Sequence, residues 1–133
     1  MGTFQSRKIT ETSLVESLTD CNTGGDDFYN SGIEFIKIVN DHASNHYKIT
    51  FTPQTTSVST TIHGSLTKSA VVVTVENGEE AYVGPFKPNV WNNASDKISV
   101  AYAHGAGSGS SEDTAIGSGE HLLKAEVLYL DPK

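Results

Sequence analysis

Residues 71–103, VVVTVENGEEAYVGPFKPNVWNNASDKISVAYA, leave room for strands and turns and for little else. Val71–Val75 is β-branched throughout, Asn77-Gly78 is the strongest two-residue hairpin signal, and Ala81–Phe86 returns apolar. Gly84-Pro85-Phe86 and Pro88 then stop the ladder, because proline donates no amide hydrogen and fixes its own φ. Asn92-Asn93 and Ser95-Asp96 mark a further turn, after which Ile98, Val100 and Tyr102 alternate as one face of another strand. No helical period runs through the segment.

The rest of the chain follows the same grammar. Ile33–Asn40, nearly apolar on both faces, reads as a central strand, Asp41–Asn45 as a turn, and Tyr47–Thr52 as a strand stopped by Pro53. Ile9–Leu18 alternates loosely and is expected as a first strand on a sheet edge, and Asp20–Gly32 as a turn-rich loop. Residues 54–69, rich in Thr and Ser, predict an extended excursion or a short added strand. The Gly/Ser-rich segment 104–119 predicts a long flexible loop, and Leu122–Leu130 a last strand with Leu123, Ala125, Val127 and Tyr129 on one face. The fold class is therefore all-β: one antiparallel β-sandwich domain of seven or eight strands, jelly-roll or immunoglobulin-like, over residues 9–133. Residues 1–8 form an extended, flexible N-terminal arm. Its predicted core is Phe35, Ile38, Ile49, Phe51, Val73, Val75, Val83, Phe86, Val100, Tyr102, Val127 and Tyr129.

Charge and cysteine content exclude several functions. A net charge of −7 with scattered basic residues argues against a nucleic-acid or anionic-membrane surface, which needs clustered Lys and Arg. Cys21 is alone, so the chain forms no internal disulfide and no thiolate metal site of its own. No apolar run approaches the ~20 residues that span a bilayer, and MGTFQSRKIT lacks the apolar centre of a signal peptide. The chain is expected to stay inside the cell that makes it until it assembles.

Catalytic chemistry finds little support. His42 and His46 flank a turn without an H-E-x-x-H pattern, and His63, His104 and His121 are isolated, so no metal is expected. Asp26-Asp27 and Glu112-Asp113 lack calcium-loop spacing and read as solvated acidic turns. Ser108, Ser110 and Ser111 lie in a glycine loop unsuited to a positioned nucleophile, and no triad order or phosphate-cradling motif accompanies them. The reading is no enzyme and no cofactor. Trp91 fits either an aromatic sugar platform or a plug beside Pro85 and Pro88; the Pro-Phe-x-Pro spacing favours the packed corner, made of Gly84, Pro85, Phe86, Pro88 and Trp91.

Gly78-Glu79, the corner Tyr82-Val83-Gly84-Pro85-Phe86, Pro88, Trp91-Asn92 and Val100-Ala101-Tyr102, with Asn30-Ser31-Gly32 before an apolar strand, together resemble a family of tailed-phage head proteins. These are the capsid decoration, cement or head-fibre proteins, and the likeness covers most of the chain. The long segment 104–119 and the Thr/Ser-rich insert depart from the family's pattern. The resemblance implies a structural protein made in the host cytoplasm that binds the outside of the mature capsid through the major capsid protein. It implies self-association too, with a trimer as first expectation, and no direct contact with nucleic acid or membrane. Phe4, Arg7, Ile9 and Leu14, in the arm and first strand, are then the expected contacts to the shell or to a neighbouring copy. Two other readings stand beside it: a carbohydrate- or host-surface-binding sandwich, and a tail-tube or head–tail connector subunit.

Overall fold

The computed structural model describes residues 2–10, 14–22, 24–54, 57–60, 64–67, 69–106, 114–115 and 123–130. Its strands are β1 (Gly2–Phe4), β2 (Ser6–Ile9), β3 (Thr19–Asp20), β4 (Asp26–Tyr29), β5 (Glu34–Asn40), β6 (Asn45–Phe51), β7 (Ser57–Thr60), β8 (Gly64–Thr67), β9 (Val71–Val75), β10 (Glu80–Val83), β11 (Lys97–Ala106), β12 (Thr114–Ala115) and β13 (Leu123–Leu130). A single helical turn, α1 (Pro88–Trp91), precedes β11.

Two mixed sheets pack face to face. The first runs β1-β4-β11-β6-β9 with β12 added to β11; the second runs β10-β5-β13-β2 with β3 added to β13. Taking β3 and then β4 onward, and leaving aside the separate β7–β8 hairpin, each successive strand crosses to the opposite sheet except β6 to β9 and β11 to the short β12, which stay together. With β3-β13-β5-β10 facing β4-β11-β6-β9, that connectivity is a jelly roll. β7 and β8 form a separate antiparallel hairpin in the excursion between β6 and β9.

Period-two alternation builds the core. Ile36 and Ile38 on β5, Tyr47, Ile49 and Phe51 on β6, Ile98 and Val100 on β11, and Ala125 and Val127 on β13 all point between the sheets and are buried. Phe28 on β4 joins them, and Phe86 packs on Phe51 and Trp91 with ring centroids 5.2 and 5.3 Å apart. Trp91 is 6% exposed, so it plugs the corner.

Several expectations are corrected. The Asn77-Gly78 turn forms, with Glu79 N–H donating to Glu76 O at 3.0 Å, but it joins no hairpin: β9 pairs with β6 in one sheet and β10 with β5 in the other. The turn is an arch, because its backbone docks on Asn40 of β5 instead of closing its own ladder. Phe35 is not core, since Glu34, Ile36, Ile38 and Asn40 take the inner face of β5 and leave Phe35 outside beside Tyr82. Val73, Val83 and Tyr129 face the core at its margins and are half-buried. Residues 2–8 of the expected arm are not free, because β1 pairs in parallel with β4 and β2 in parallel with β13. The edge strand is thus Ser6–Ile9 instead of Ile9–Leu18, and residues 14–18 are not a strand. The loop expected over 20–32 contains β4, and β11 runs on to Ala106 into the segment read as loop, where Thr114–Ala115 also pairs. Residues 107–113 and 116–119 of that segment lie outside the described residues.

Asparagine amides tie both ends of the sandwich. Asn40, fully buried, donates through Nδ2 to Asn45 O and Val75 O, both at 2.9 Å, and accepts from His42 N–H through Oδ1 at 2.9 Å. Its backbone N–H donates to Glu79 O and its carbonyl accepts from Gly78 N–H. At the other end Asn30 Nδ2 donates to Phe86 O and to Asn92 Oδ1, and Asn92 Nδ2 returns a bond to Asn30 O at 2.8 Å. Beside that pair the buried Glu34 carboxylate accepts from the N–H groups of Ser31 and Ile33 and from the Ser31 hydroxyl.

Two variants test this frame by chemical denaturation. Asn40→Ala should cost about 3 kcal/mol, since it orphans buried groups of both arches at once. Gly84→Ala should be destabilising by at least about 1 kcal/mol. Gly84 lies at φ +123°, and an added Cβ would meet the Phe35 backbone at 3.0 Å.

Candidate functional site

The register of the second sheet sorts its outer face into rows. Ile9 and Leu130 form one row, with Ile33 just before the start of β5; Arg7, Leu128 and Phe35 form the next; Glu126, Lys37 and Tyr82 the third; Lys124, Val39 and Glu80 the fourth. One end of the face is therefore apolar and the other charged. Leu130, Ile33 and Tyr82 are 58%, 39% and 59% exposed, more than solvent contact by chance requires of three neighbouring strands.

Residues 14–18 cross this face as a strap. Ser17 N–H donates to Glu126 Oε2 at 2.9 Å, Arg7 Nη1 donates to Val15 O at 2.9 Å, and Lys37 pairs with Glu16. That last bond holds the Lys37 ammonium above its usual value. Arg7 also reaches Glu126 at 3.4 Å, which places a buried carboxylate between a guanidinium and a backbone amide. Leu14 descends from the strap beside Ile9, Phe35, Tyr82 and Leu128, lining a cleft of about 230 Å³. Val15 stands at the crest, 80% exposed.

Of the contact residues read from the sequence, the structure brings Ile9, Leu14 and Arg7 together on this face and removes Phe4. Phe4 is 6% exposed and belongs to the core cluster, because β1 aligns it with Phe28 of β4. Phe35 was expected in the core, and Tyr82, Leu128, Leu130 and Ile33 carry no surface role in the sequence reading. The signal available was that Ile33, Phe35 and Val39, opposite the core positions of Ile33–Asn40, are apolar, with Lys37 alone charged among them.

The other sequence candidates have structural employment. His42 Nδ1 accepts from the N–H groups of Ser44 and Asn45 at 3.1 and 2.9 Å, His46 is fully buried, and His104 stacks on Tyr47. His63, His121, Glu112, Asp113, Ser108, Ser110 and Ser111 lie outside the described residues. Among the described residues, no three His, Cys, Asp or Glu side chains converge as metal ligands would. No described helix is long and apolar enough to cross a membrane.

Asp26 overturns the solvated-turn reading. It is 1% exposed and accepts from Asn22 N–H, Asn22 Nδ2, Gly2 N–H and, at 2.6 Å, the Tyr102 hydroxyl. Burial pushes the neighbouring Cys21 thiol up to about 12, despite a hydrogen bond with Tyr102 that works the other way, and burial likewise raises the Tyr102 phenol. The molecule is thus a jelly-roll β-sandwich whose distinctive surface is a strapped, partly apolar sheet face. No protein-family model, curated protein or solved structure matches the chain.

The Cys21 cluster gives a prediction about pH. The unfolded thiol ionises near 9.0 and the folded one only near 12, so the stability that the neutral thiol contributes is complete below pH 9 and lost as pH rises towards 12. Denaturation midpoints should fall over that window. At pH 8, alkylation of Cys21 should be on the order of a thousandfold slower in the folded chain than in urea, following the thiolate fraction. Equal rates would contradict the buried position.

Proposed function

We propose that this chain is a non-enzymatic structural protein of a phage head, one that binds the outside of the mature shell and stabilises it. The observation that carries the reading is the outer face of the second sheet. Of its apolar residues Leu130 and Ile33 are exposed and Ile9 and Phe35 half-covered on an otherwise acidic molecule, while Leu128 is buried. A protein that bridges neighbouring shell subunits needs a rigid body and an apolar contact surface, and many copies make modest contacts collectively strong. Rigidity here comes from the woven N-terminus, with β1 and β2 in opposite sheets, instead of from an arm left free to reach. The major capsid protein is the proposed partner, and Ile9, Leu14, Leu130, Ile33 and Tyr82 the proposed contacts, with the charged rows at the rim. The particle's outer surface is the proposed location, and association between copies is part of the same proposal.

The carbohydrate-binding alternative loses its main support, since Trp91 is packed against Phe86 and offers no open aromatic platform. Trp91→Ala should cost about 4 kcal/mol of stability through the cavity it leaves.

Co-sedimentation with mature shells that lack this protein tests the proposal, with unexpanded procapsids as control. Saturable binding that raises the shells' resistance to heat is the expected result. Leu130→Asp should weaken that binding about tenfold or more while leaving the circular dichroism spectrum intact, since one buried leucine accounts for ~1.5–3 kcal/mol. A folded wild-type chain that binds neither shell would overturn the reading.

A further inference from the structure

The four ends of the two sheets are not treated alike. β1 has only three residues. β2 carries Arg7 and Lys8, and its Arg7 is tied to the strap. β10 begins at Glu80 and is cut off by Gly84-Pro85. β9 has no such device: Val71-Val72-Val73-Thr74-Val75 holds no charge, no proline and no glycine. Among the described residues no strand pairs with its outer edge and no backbone–backbone hydrogen bond outside the β6–β9 ladder reaches it, although at its end Val75 O accepts from Asn40 Nδ2. An open edge of this composition is a template for another strand, and natural sandwiches normally blunt it.

We infer that the β9 edge is an interface for a second copy of this chain, added antiparallel about a two-fold axis through Val73. The segment is close to self-complementary in that arrangement. Val71 meets Val75 of the partner copy, Val73 meets its own equivalent, and Val72 meets Thr74, so each β-branched side chain faces another. Glu76 faces Ala70 in this register, whereas a parallel in-register pair would set Glu76 against its own equivalent. A closed two-fold pair also removes the open edge from both molecules, where head-to-tail strand addition would leave one exposed. The pair joins two five-strand faces into one continuous sheet and leaves the strapped face of the other sheet free. It is independent of the capsid reading, and it departs from the threefold association that the sequence resemblance implies.

The test needs no shell. Val72 and Thr74 point outward, Val72 at 54% exposure and Thr74 also exposed, so charges there leave the core intact. Light scattering coupled to gel filtration should give twice the chain mass for the wild type. The double variants V72K/T74K and V72E/T74E should each run as monomers with unchanged circular dichroism, because like charges oppose each other twice across the axis. Mixed in equal amounts, the two variants should recover the dimeric mass as a one-to-one heterodimer. A wild-type monomer or trimer, a dimer that survives in either charged variant, or a mixture that stays monomeric would each overturn the inference.

Discussion

The jelly roll of this protein depends on one buried amide. A sandwich whose strands alternate between sheets must turn its chain across the core at both ends, and each crossing strands backbone groups away from water. Asn40 answers that problem where β5 leaves one sheet for β6 and where β9 leaves the other for β10. Its amide and its own backbone satisfy groups from both arches at once, so the two crossings are formed together or not at all. A leucine of similar volume would fill the space and leave those groups unpaired. Asn30 and Asn92 perform the matching role at the opposite end, with Glu34 held by the turn beside them.

The N-terminal residues complete both sheets. β1 and β2 are separated by the single residue Gln5 yet pair in different sheets, so the chain crosses the side of the sandwich between Phe4 and Ser6. Asp26 fastens the first of these strands and Arg7 the second, and Arg7 in turn holds the strap that follows. The strap covers part of the outer face of the second sheet and leaves the apolar end open. A single ionic arrangement around Glu126 thereby links the N-terminus, the last strand and the candidate docking face.

Much of this was legible in the sequence. The periods of Tyr47–Phe51, Lys97–Tyr102 and Leu123–Tyr129 give the right inward faces. Of the residues read as a packed corner, Phe86 and Trp91 are buried against each other, whereas Pro85 and Pro88 are exposed. Ile9 and Leu14, named from the sequence as contacts, line one cleft on the outer face of the second sheet, whereas Phe4 was not recognisable as core. A lone phenylalanine in a polar run carries no periodicity, and its burial depends on a parallel pairing with β4, more than twenty positions away. Asp26 was misread for the same reason, since its partners Gly2 and Tyr102 come from distant strands.

By itself, the sequence determined the longer strands, most of their inward faces and the main places where the chain turns, because those depend on neighbours one to four positions apart. Which strands pair was decided only in three dimensions. Asn77-Gly78 specifies a tight turn, but the turn is compatible with a hairpin or an arch; the buried amide of Asn40 selects the arch. Likewise the sequence shows Ile9, Ile33 and Leu130 as three separate apolar residues. Only the pairing of β2 and β13 sets Ile9 beside Leu130, and only the pairing of β13 with β5 brings the residue before Glu34 to the same end of the sheet.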